Sequence, residues 1–256
     1  MGVVNITPDS FSDGGRFFEP AAAIAHAHLL IDEGADILDL GAESSRPGAA
    51  PVVGADEELR RLLPVLRGLR DATVPVSVDT IKTEVMRVAL AEGASMINDI
   101  NALRAPGALA AVAAGAAAVC LMHMQGTPGT MQQYPGYGDV VAEVKAFLQQ
   151  RVDAVRAAGI PLERICVDPG FGFGKTLEHN LELLRHLRDF AVFGVPVLEG
   201  WSRKSSLGRI TGKPTGDRLA ASIAAALIAA QNGAGILRVH DVAATRDVLS
   251  VLAAVD

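Results

Sequence analysis

Each of the short apolar runs in this sequence is followed directly by one or more polar side chains. Eight runs of Val, Ile, Leu, Met or Cys are followed, within a few residues, by groups able to bind or to catalyse: Asn5, Asp39 with Glu43, Asp79, Asn98, His123, Asp168, Ser202 to Lys204, and His240. One polar residue after an apolar run usually just meets solvent. Eight such positions that mix carboxylates, amides and cations predict one site, provided that the fold brings the ends of the runs together.

Segments of helical periodicity separate the apolar runs. They cover residues 21–33, 56–70, 83–92, 139–158, 177–187, 217–232 and 242–254. Short buried strands that alternate with helices are typical of a parallel sheet built from βαβ units. Eight strands and seven or eight helices in 256 residues predict an α/β fold, a single-domain TIM (β/α)8 barrel over residues 1–256, with a doubly wound sheet as the alternative. In a barrel the carboxyl ends of all strands meet on one face, where active sites lie.

The composition argues against several classes of partner. Lys and Arg number 23 against 29 Asp and Glu, and the net charge of −6 disfavours nucleic acid and anionic membranes. The longest apolar run, Ala108 to Met122, is shorter than the ~20 residues of a membrane span. The opening residues, MGVVNI, lack the pattern of a signal peptide. Cys120 and Cys166 lie in apolar runs and are too few for a disulfide scaffold, so we predict buried thiols in a soluble cytoplasmic protein.

Two polar loops follow the first two strands. The sequence N-I-T-P-D-S-F-S-D-G-G runs from Asn5 to Gly15, and G-A-E-S-S-R-P-G runs from Gly41 to Gly48. Pro, Ser, Asp and paired glycines predict loops rather than regular structure. Both are long enough to act as lids that present Asn5, Asp13 and Arg46 to a ligand. Ordinary solvated surface loops are the alternative.

Three strand ends carry the acceptors and the amide that a flat heterocycle with an amino group and ring N–H donors would need. A ring of Asp79, Asn98 and Asp168 that contains no His or Cys does not resemble a zinc site. The loop D-P-G-F-G-F-G-K begins at Asp168 and superficially resembles a phosphate-binding P-loop. Pro169 stands where that motif needs glycine, so we expect the loop to bring its backbone and Phe173 close to a ligand instead.

Basic residues cluster after the last two strands of this acidic protein. The sequence S-R-K-S occupies residues 202–205, and Arg238 and His240 end the last strand. Residues 238 and 240 point to the same side of a strand. Loops after strands seven and eight often bind phosphate in barrels, so the sequence predicts an anion site there.

The whole chain, in order, resembles the dihydropteroate synthase family of folate biosynthesis. The resemblance rests on both loop sequences together with S-V-D-T, I-N-D, L-M-H-M-Q-G-T-P, D-P-G-F-G-F-G-K, S-R-K-S and R-V-H-D. It implies a pterin-binding TIM barrel, a homodimer and a transferase that is a target of sulfonamides. It also implies condensation of 6-hydroxymethyl-7,8-dihydropterin pyrophosphate with p-aminobenzoate, by SN1-like loss of pyrophosphate in the presence of Mg²⁺.

The resemblance also assigns roles to individual residues. It implies that the pterin is bound by Asp79, Asn98, Met122, Asp168, Phe173, Gly200, Lys204 and Arg238. It implies that p-aminobenzoate is bound by Phe11, Ser45, Arg46, Pro47 and Ser205. It implies that pyrophosphate is bound by Asn5, Arg46, Arg238 and His240, and that Asn5 also ligates Mg²⁺. It implies that the catalytic residues are Asn5, Asp13, Arg46, Lys204, Arg238 and His240.

The sequence departs from the family pattern at a few positions. Ala42 and Ser45 stand where the family more often has Gly and Thr. Glu199 ends strand seven, where we expect a small or apolar residue, and an unpaired buried carboxylate there would be costly. It must face the barrel exterior, find a cation such as Arg203, or weaken the protein.

Two other functions compete with the synthase. A pterin-binding methyltransferase domain of the corrinoid type would share the Asp and Asn ring but should lack S-R-K-S and R-V-H, both of which are present. A non-catalytic pterin-binding homologue would bind pyrophosphate without turnover.

Overall fold

The computed structural model describes residues 1–6, 20–43 and 53–255. The strands are β1 (Gly2–Asn5), β2 (Leu38–Gly41), β3 (Val76–Asp79), β4 (Met96–Asp99), β5 (Ala118–Met122), β6 (Ile165–Asp168), β7 (Leu198–Glu199) and β8 (Ile236–Leu237). The helices are α1 (Pro20–Asp32), α2 (Ala55–Gly68), α3 (Thr83–Ala91), α4 (Ala108–Ala113), α5 (Val140–Ala157), α6 (Leu177–Arg185), α7 (Ser205–Thr211), α8 (Leu219–Gln231) and α9 (Val242–Val255). Short 3-10 segments lie at Leu162–Arg164, Leu187–Phe193 and Thr215–Asp217.

The strands pair in chain order and close on themselves. Strands β1 to β6 form a parallel sheet in sequence order, and β7 pairs with β8 in parallel. Single bridges join the two sheets, because Val167 of β6 pairs with Val197 and Gly2 of β1 pairs with Val239. The backbone N–H of Val3 donates to the carbonyl of Val239 at 3.0 Å. The closed order is that of a (β/α)8 barrel.

Alternation along the strands separates two apolar layers. Residues such as Leu40, Ile97 and Val167 turn outward and pack with the helices in the main hydrophobic cluster. The residues that alternate with them turn inward, and Cys120 and Cys166 lie there in a second cluster. The barrel interior is therefore apolar at its lower levels, and the polar strand ends lie above it.

The chain between the strands differs in two places from the sequence prediction. The apolar run from Ala108 to Met122 divides into α4 and β5, because Gly115 interrupts it. Between β7 and β8 the chain forms α7 as well as α8. In the parts of the chain that the structure describes, no helix combines the length and the apolar character needed to cross a membrane.

Candidate active site

A cavity of about 370 Å³ opens at the carboxyl ends of the strands. Eleven of the sixteen residues to which the resemblance assigns roles lie within the described ranges, and all eleven line this cavity: Asn5, Asp79, Asn98, Met122, Asp168, Phe173, Gly200, Lys204, Ser205, Arg238 and His240. Asp39 and His123, two of the predicted strand-end groups, do not line it. The other five, Phe11, Asp13, Ser45, Arg46 and Pro47, lie outside the described residues. The cavity also has the volume of a small-molecule site.

Arg238 binds two carboxylates across the barrel. Its Nε donates to Oδ2 of Asp39 at 2.6 Å, and its Nη2 donates to Oδ2 of Asp79 at 3.1 Å. The Nδ2 amide of Asn98 donates to the same Asp39 oxygen at 3.1 Å. These bonds draw the ends of four strands, β2, β3, β4 and β8, into one network.

The network holds more negative than positive charge. Burial raises the pKa of Asp79 to about 7, against the attraction of Arg238 and with the repulsion of Asp39. Burial by itself would lower the pKa of Arg238, but Asp39 and Asp79 outweigh it and raise that pKa above its ordinary value. Arg238 therefore stays charged, and Asp79 is the carboxyl group that a proton or a cationic ligand would neutralise.

Asp168, at the end of β6, and Lys204, in the loop after β7, also line the cavity. Oδ1 of Asp168 accepts the N–H of Gly170 at 2.6 Å, and burial raises the pKa of the Asp168 carboxyl group. Nζ of Lys204 donates to the carbonyl oxygen of Phe171 and lies 4.8 Å from the centre of the Phe173 ring. Burial lowers the pKa of Lys204 to about 8, against the attraction of Asp168. The result is a carboxyl group and an amine that attract each other without a direct ion pair, beside an aromatic face.

The loop after β6 is built around a buried lysine. Nζ of Lys175, 2% exposed, donates to the carbonyl oxygens of Gly170 at 3.0 Å and Phe173 at 3.1 Å. It also lies 2.9 Å from Nδ1 of His123. Burial and the nearby Lys175 lower the pKa of His123 to about 3, so the ring is neutral, and burial also lowers the pKa of Lys175 well below its ordinary value. Lys175 thus shapes the loop instead of reaching into the cavity as a P-loop lysine would.

Gly170 is required where this loop touches the strand beside it. Its φ is +74°, and a Cβ there would lie 1.9 Å from the carbonyl oxygen of His123. No other residue fits that approach. The glycines of D-P-G-F-G-F-G-K therefore allow close backbone contact, as the sequence predicts.

The basic loops after β7 and β8 are joined to each other. The hydroxyl oxygen of Ser202 accepts the N–H of His240 at 3.2 Å and lies 3.0 Å from its Nδ1. Arg203, at φ +60°, pairs with Asp241 and not with Glu199. Ser205 is the first residue of α7. The two loops are therefore hydrogen-bonded to each other, and both His240 and Ser205 line the cavity.

An ion cluster ties together the residues that flank 44–52. Nζ of Lys82 lies 2.5 Å from Oε2 of Glu43 and 2.5 Å from Oε2 of the buried Glu58. Oε1 of Glu43 accepts the N–H of Val53 at 3.1 Å. Glu43 also lines the cavity. Glu43 is therefore hydrogen-bonded to Val53 on the far side of residues 44–52, which include Ser45, Arg46 and Pro47.

The sequence prediction missed several residues that line or support the cavity. Asp39 was recognised only as a strand-end carboxylate, although its inward position two residues after Ile37 could have placed it beneath Arg238. Ile100 follows Met96 and Asn98 in the same alternation and could have been found in that way. Phe171, Met131 and Arg218 come from loops, and nothing in the local pattern indicates them.

Glu199 is buried, at 1% exposure, at the end of β7. It is paired in register with Leu237, a member of the outer cluster, so it faces the barrel exterior, one of the expected outcomes. Its Oε1 accepts the N–H of Trp201. Burial raises the pKa of Glu199 to about 7, against that hydrogen bond.

Within the described ranges, no group of three or more His, Cys, Asp or Glu side chains is arranged to hold a metal ion.

Comparison with known proteins decides which family has this arrangement. A family model described as "Pterin binding enzyme" matches residues 1–240. The dihydropteroate synthase of Escherichia coli (strain K12) is 49% identical over 255 residues, which are 99% of this chain and 90% of that protein. The chain belongs to the dihydropteroate synthase family.

Solved structures of dihydropteroate synthases agree with this membership. The Xanthomonas albilineans enzyme with 4-aminobenzoic acid is 56% identical with a TM-score of 0.93, and covers 100% of this chain and 92% of its own. The structure of the same enzyme in complex with 7,8-dihydropteroate shows 53% sequence identity and a TM-score of 0.90, and the match again covers 100% of this chain and 92% of the other. The Yersinia pestis enzyme in a sulfonamide drug complex shows 44% sequence identity and a TM-score of 0.94, and that match covers 100% of this chain and 92% of the other.

Membership in the dihydropteroate synthase family confirms three predictions made from the sequence. The fold is the α/β TIM barrel, the family is the one that the motifs indicate, and the chain is a transferase of the dihydropteroate synthase type. The non-catalytic alternative is not favoured. The roles of individual residues stay predictions.

Proposed function

We propose that this site joins 6-hydroxymethyl-7,8-dihydropterin pyrophosphate to p-aminobenzoate and releases pyrophosphate. One observation carries the proposal. A single cavity is lined both by acids and an amide, Asp79, Asn98 and Asp168, and by cationic or imidazole groups, Lys204, Arg238 and His240. The acids and the amide suit the amino and ring N–H donors of a pterin, to which Lys204 can also donate, and Arg238 and His240 suit a leaving anion.

The pterin binds through the groups on the inner ring of strand ends. Asn98 turns its NH₂ group towards Asp39, so its amide oxygen is the atom that meets a ligand donor. Asp168 and Asp79 accept from the amino group and ring nitrogens, and a protonated Asp79 can donate instead. Phe173 and Met122 supply apolar contact, and the missing side chain of Gly200 leaves room for the ring.

The reaction breaks the bond between the pterin methylene carbon and the pyrophosphate oxygen, and the electron pair leaves with pyrophosphate. Arg238 and His240 stabilise the charge that develops there, together with Asn5. The buried carboxylates Asp79 and Asp168 stabilise the positive charge left on the pterin. The amine of p-aminobenzoate then bonds to the methylene carbon and loses a proton.

p-Aminobenzoate binds at the mouth of the cavity. Ser205, at the beginning of α7, lies where its hydroxyl group can bind the aminobenzoate carboxylate. We assign Phe11, Asp13, Ser45, Arg46 and Pro47 to the same subsite by family resemblance. Sulfonamides that imitate p-aminobenzoate compete for it.

The donor set fits a Mg²⁺ ion that the substrate helps to hold. Mg²⁺ keeps several waters and binds through one or two protein oxygens plus substrate phosphates, so it needs no cluster of carboxylates. Asn5 ends β1 at the cavity wall and offers one amide oxygen beside the proposed pyrophosphate site. The ion would supply charge neutralisation at the leaving group.

We also propose a single-domain cytoplasmic homodimer. The main hydrophobic cluster runs from Val4 in β1 to Val242 in α9, which supports one domain. Cys120 and Cys166 are buried free thiols, which suits a reducing compartment. Exposed apolar side chains on α8 and α9, such as Ile228 and Val251, support contact with a second copy. Light scattering on the purified chain measures the mass directly.

A dissociative reaction can be tested without p-aminobenzoate. The dihydropterin pyrophosphate is labelled with ¹⁸O in the oxygen that bridges carbon and phosphorus. Reversible loss of pyrophosphate moves the label into non-bridging positions in the wild-type protein, and Arg238→Met abolishes this exchange. Dihydropteroate formation without any exchange of label would contradict the dissociative step.

A further inference from the structure

We propose that Glu199 is a positioning residue, whose carboxylate holds the turn after β7 so that Lys204 faces the pterin. The inference rests on the proposed function, because it concerns the placement of Lys204. Glu199 itself does not line the cavity, so it cannot act by touching substrate. Its influence passes through the residues to which it is bonded and through the attraction between its carboxylate and Lys204.

Glu199 is bonded to both neighbouring segments of the site. Its carbonyl oxygen accepts the backbone N–H of Arg238 at 2.7 Å, in the ladder between β7 and β8. Its carboxylate accepts the N–H of Trp201, two residues further along. The side-chain bond spans the backbone from Glu199 to Trp201 across Gly200, which lines the cavity, and the turn at residues 202–203 follows directly.

Trp201 is linked to both ends of Lys204, directly at the backbone and through Phe171 at the ammonium group. The carbonyl oxygen of Trp201 accepts the backbone N–H of Lys204 at 3.1 Å. The Trp201 ring packs edge-on against Phe171, with 5.3 Å between ring centres, and the Phe171 carbonyl oxygen accepts from Nζ of Lys204. A shift of Trp201 would therefore move both the origin of the lysine side chain and the acceptor of its ammonium group.

Stability alone does not explain a carboxyl group at this place. Glu199 is 1% exposed, and it makes no ion pair within 4 Å among the described residues. Among the described residues, the buried indole N–H of Trp201 also has no partner. Burying a carboxyl group without a cation is costly, and this cost offsets the one hydrogen bond that an apolar side chain at position 199 would lose, so such a side chain should leave the stability equal or greater. A functional constraint accounts for a carboxyl group that stability does not require.

The test compares Glu199→Leu and Glu199→Ala, which remove the acceptor, with Glu199→Gln, which keeps an acceptor oxygen. The dissociation constant of dihydropterin pyrophosphate is measured by calorimetry, and KM and kcat are measured for both substrates. We expect Leu and Ala to weaken pterin pyrophosphate binding about tenfold, the scale of one lost hydrogen bond to a charged group. The KM of p-aminobenzoate should change less than twofold, and Glu199→Gln should restore most of the affinity. The thermal midpoint of Glu199→Leu should equal or exceed that of the wild type.

A Lys204→Met background identifies the route of the effect. If Glu199 acts through Lys204, removing its carboxylate from Lys204→Met should change the dissociation constant less than twofold. An undiminished tenfold loss in that background would overturn the proposal, as would unchanged binding by a folded Glu199→Leu or Glu199→Ala. Failure of both of these variants to fold would make Glu199 a purely structural residue, and would also overturn it. A wild-type protein that binds the pterin pyrophosphate but makes no dihydropteroate would instead refute the proposed function.

Discussion

Replacing Arg238 with methionine should destabilise the protein in a way that depends on pH. The guanidinium group bonds to Asp39 at 2.6 Å and to Asp79 at 3.1 Å, and methionine fills a similar volume without charge. The substitution leaves two neighbouring carboxyl groups, one of them fully buried, without their cation. The site would then have to hold like charges together or take up a proton.

The magnitude follows from the burial of the three groups. Removing one partner of a buried ion pair costs about 3–5 kcal/mol. The Arg238 side chain is 20% exposed and that of Asp79 is 19% exposed, so water reaches part of the pair and the lower end applies. We expect the free energy of unfolding to fall by about 3 kcal/mol at pH 8, a large part of the 5–15 kcal/mol of a typical domain.

The sign of the pH dependence follows from the direction of the Asp79 shift. The pKa of Asp79 is raised to about 7, and losing the attraction of Arg238 raises it further. A carboxyl group with a raised pKa in the folded state binds more protons there than in the unfolded state, so stability falls as the pH rises. The loss in Arg238→Met should therefore be greatest at pH 8 and should shrink towards pH 5.5, where Asp79 is protonated.

Urea denaturation at pH 5.5 and pH 8 measures both free energies. The matched control is the double variant Asp39→Asn with Arg238→Met, which also removes one of the stranded charges. It should be more stable at pH 8 than Arg238→Met alone. Equal losses at both pH values, or a greater loss at pH 5.5, would refute the electrostatic account of this network.

Three further predictions concern the surroundings of the site. Gly170→Ala should lose about 2–5 kcal/mol of stability because of its contact with the His123 carbonyl oxygen and its positive φ, whereas Gly216→Ala, with nothing near its Cβ, should change little in the same thermal melts. The pKa of His123 is lowered in the folded state, so as the pH falls below about 6.5 the unfolded state takes up this proton before the folded state does, and stability falls. His123→Asn should therefore reduce the loss of stability between pH 6.5 and pH 4. An unchanged slope of stability against pH would contradict this. Lys82→Met should lower the free energy of unfolding by about 3 kcal/mol, because it leaves the buried Glu58 without its cation. Adding Glu58→Gln should recover part of this loss in urea denaturation. Equal stability of the single and double variants would show that the ion pair contributes nothing.

The fold could be predicted because its signals are local and repeated. Each strand is a short apolar run and most helices show clear periodicity, so the order of the elements and the barrel follow from the sequence. The alternation within strands also brings Asp79, Asn98 and Asp168 to one face, as the structure has them. The sequence analysis predicts no helix at α4, in the Ala-rich run from Ala108 to Met122, because alanine and glycine carry little periodic signal.

The connections of the site could not be predicted, because they depend on geometry between distant elements. The alternation could place Asp39 and Arg238 on the same inner face, but it does not indicate that they bond to each other across 199 positions. Nothing in the sequence indicates that Lys175 turns inward to His123 and the carbonyl oxygens of its own loop. Glu199 was recognised as unusual from its residue type alone. Its partner proved to be the backbone of Trp201 and not the cation Arg203.

The most direct test of the central claim is formation of dihydropteroate by the purified chain. The protein is incubated with dihydropterin pyrophosphate, p-aminobenzoate and Mg²⁺, and both dihydropteroate and pyrophosphate are measured. We expect one pyrophosphate for each dihydropteroate, with kcat/KM reduced about 10²–10³-fold in Arg238→Met, the scale of one lost charge-stabilising group. No product from a folded wild-type protein that binds the pterin pyrophosphate would contradict the account.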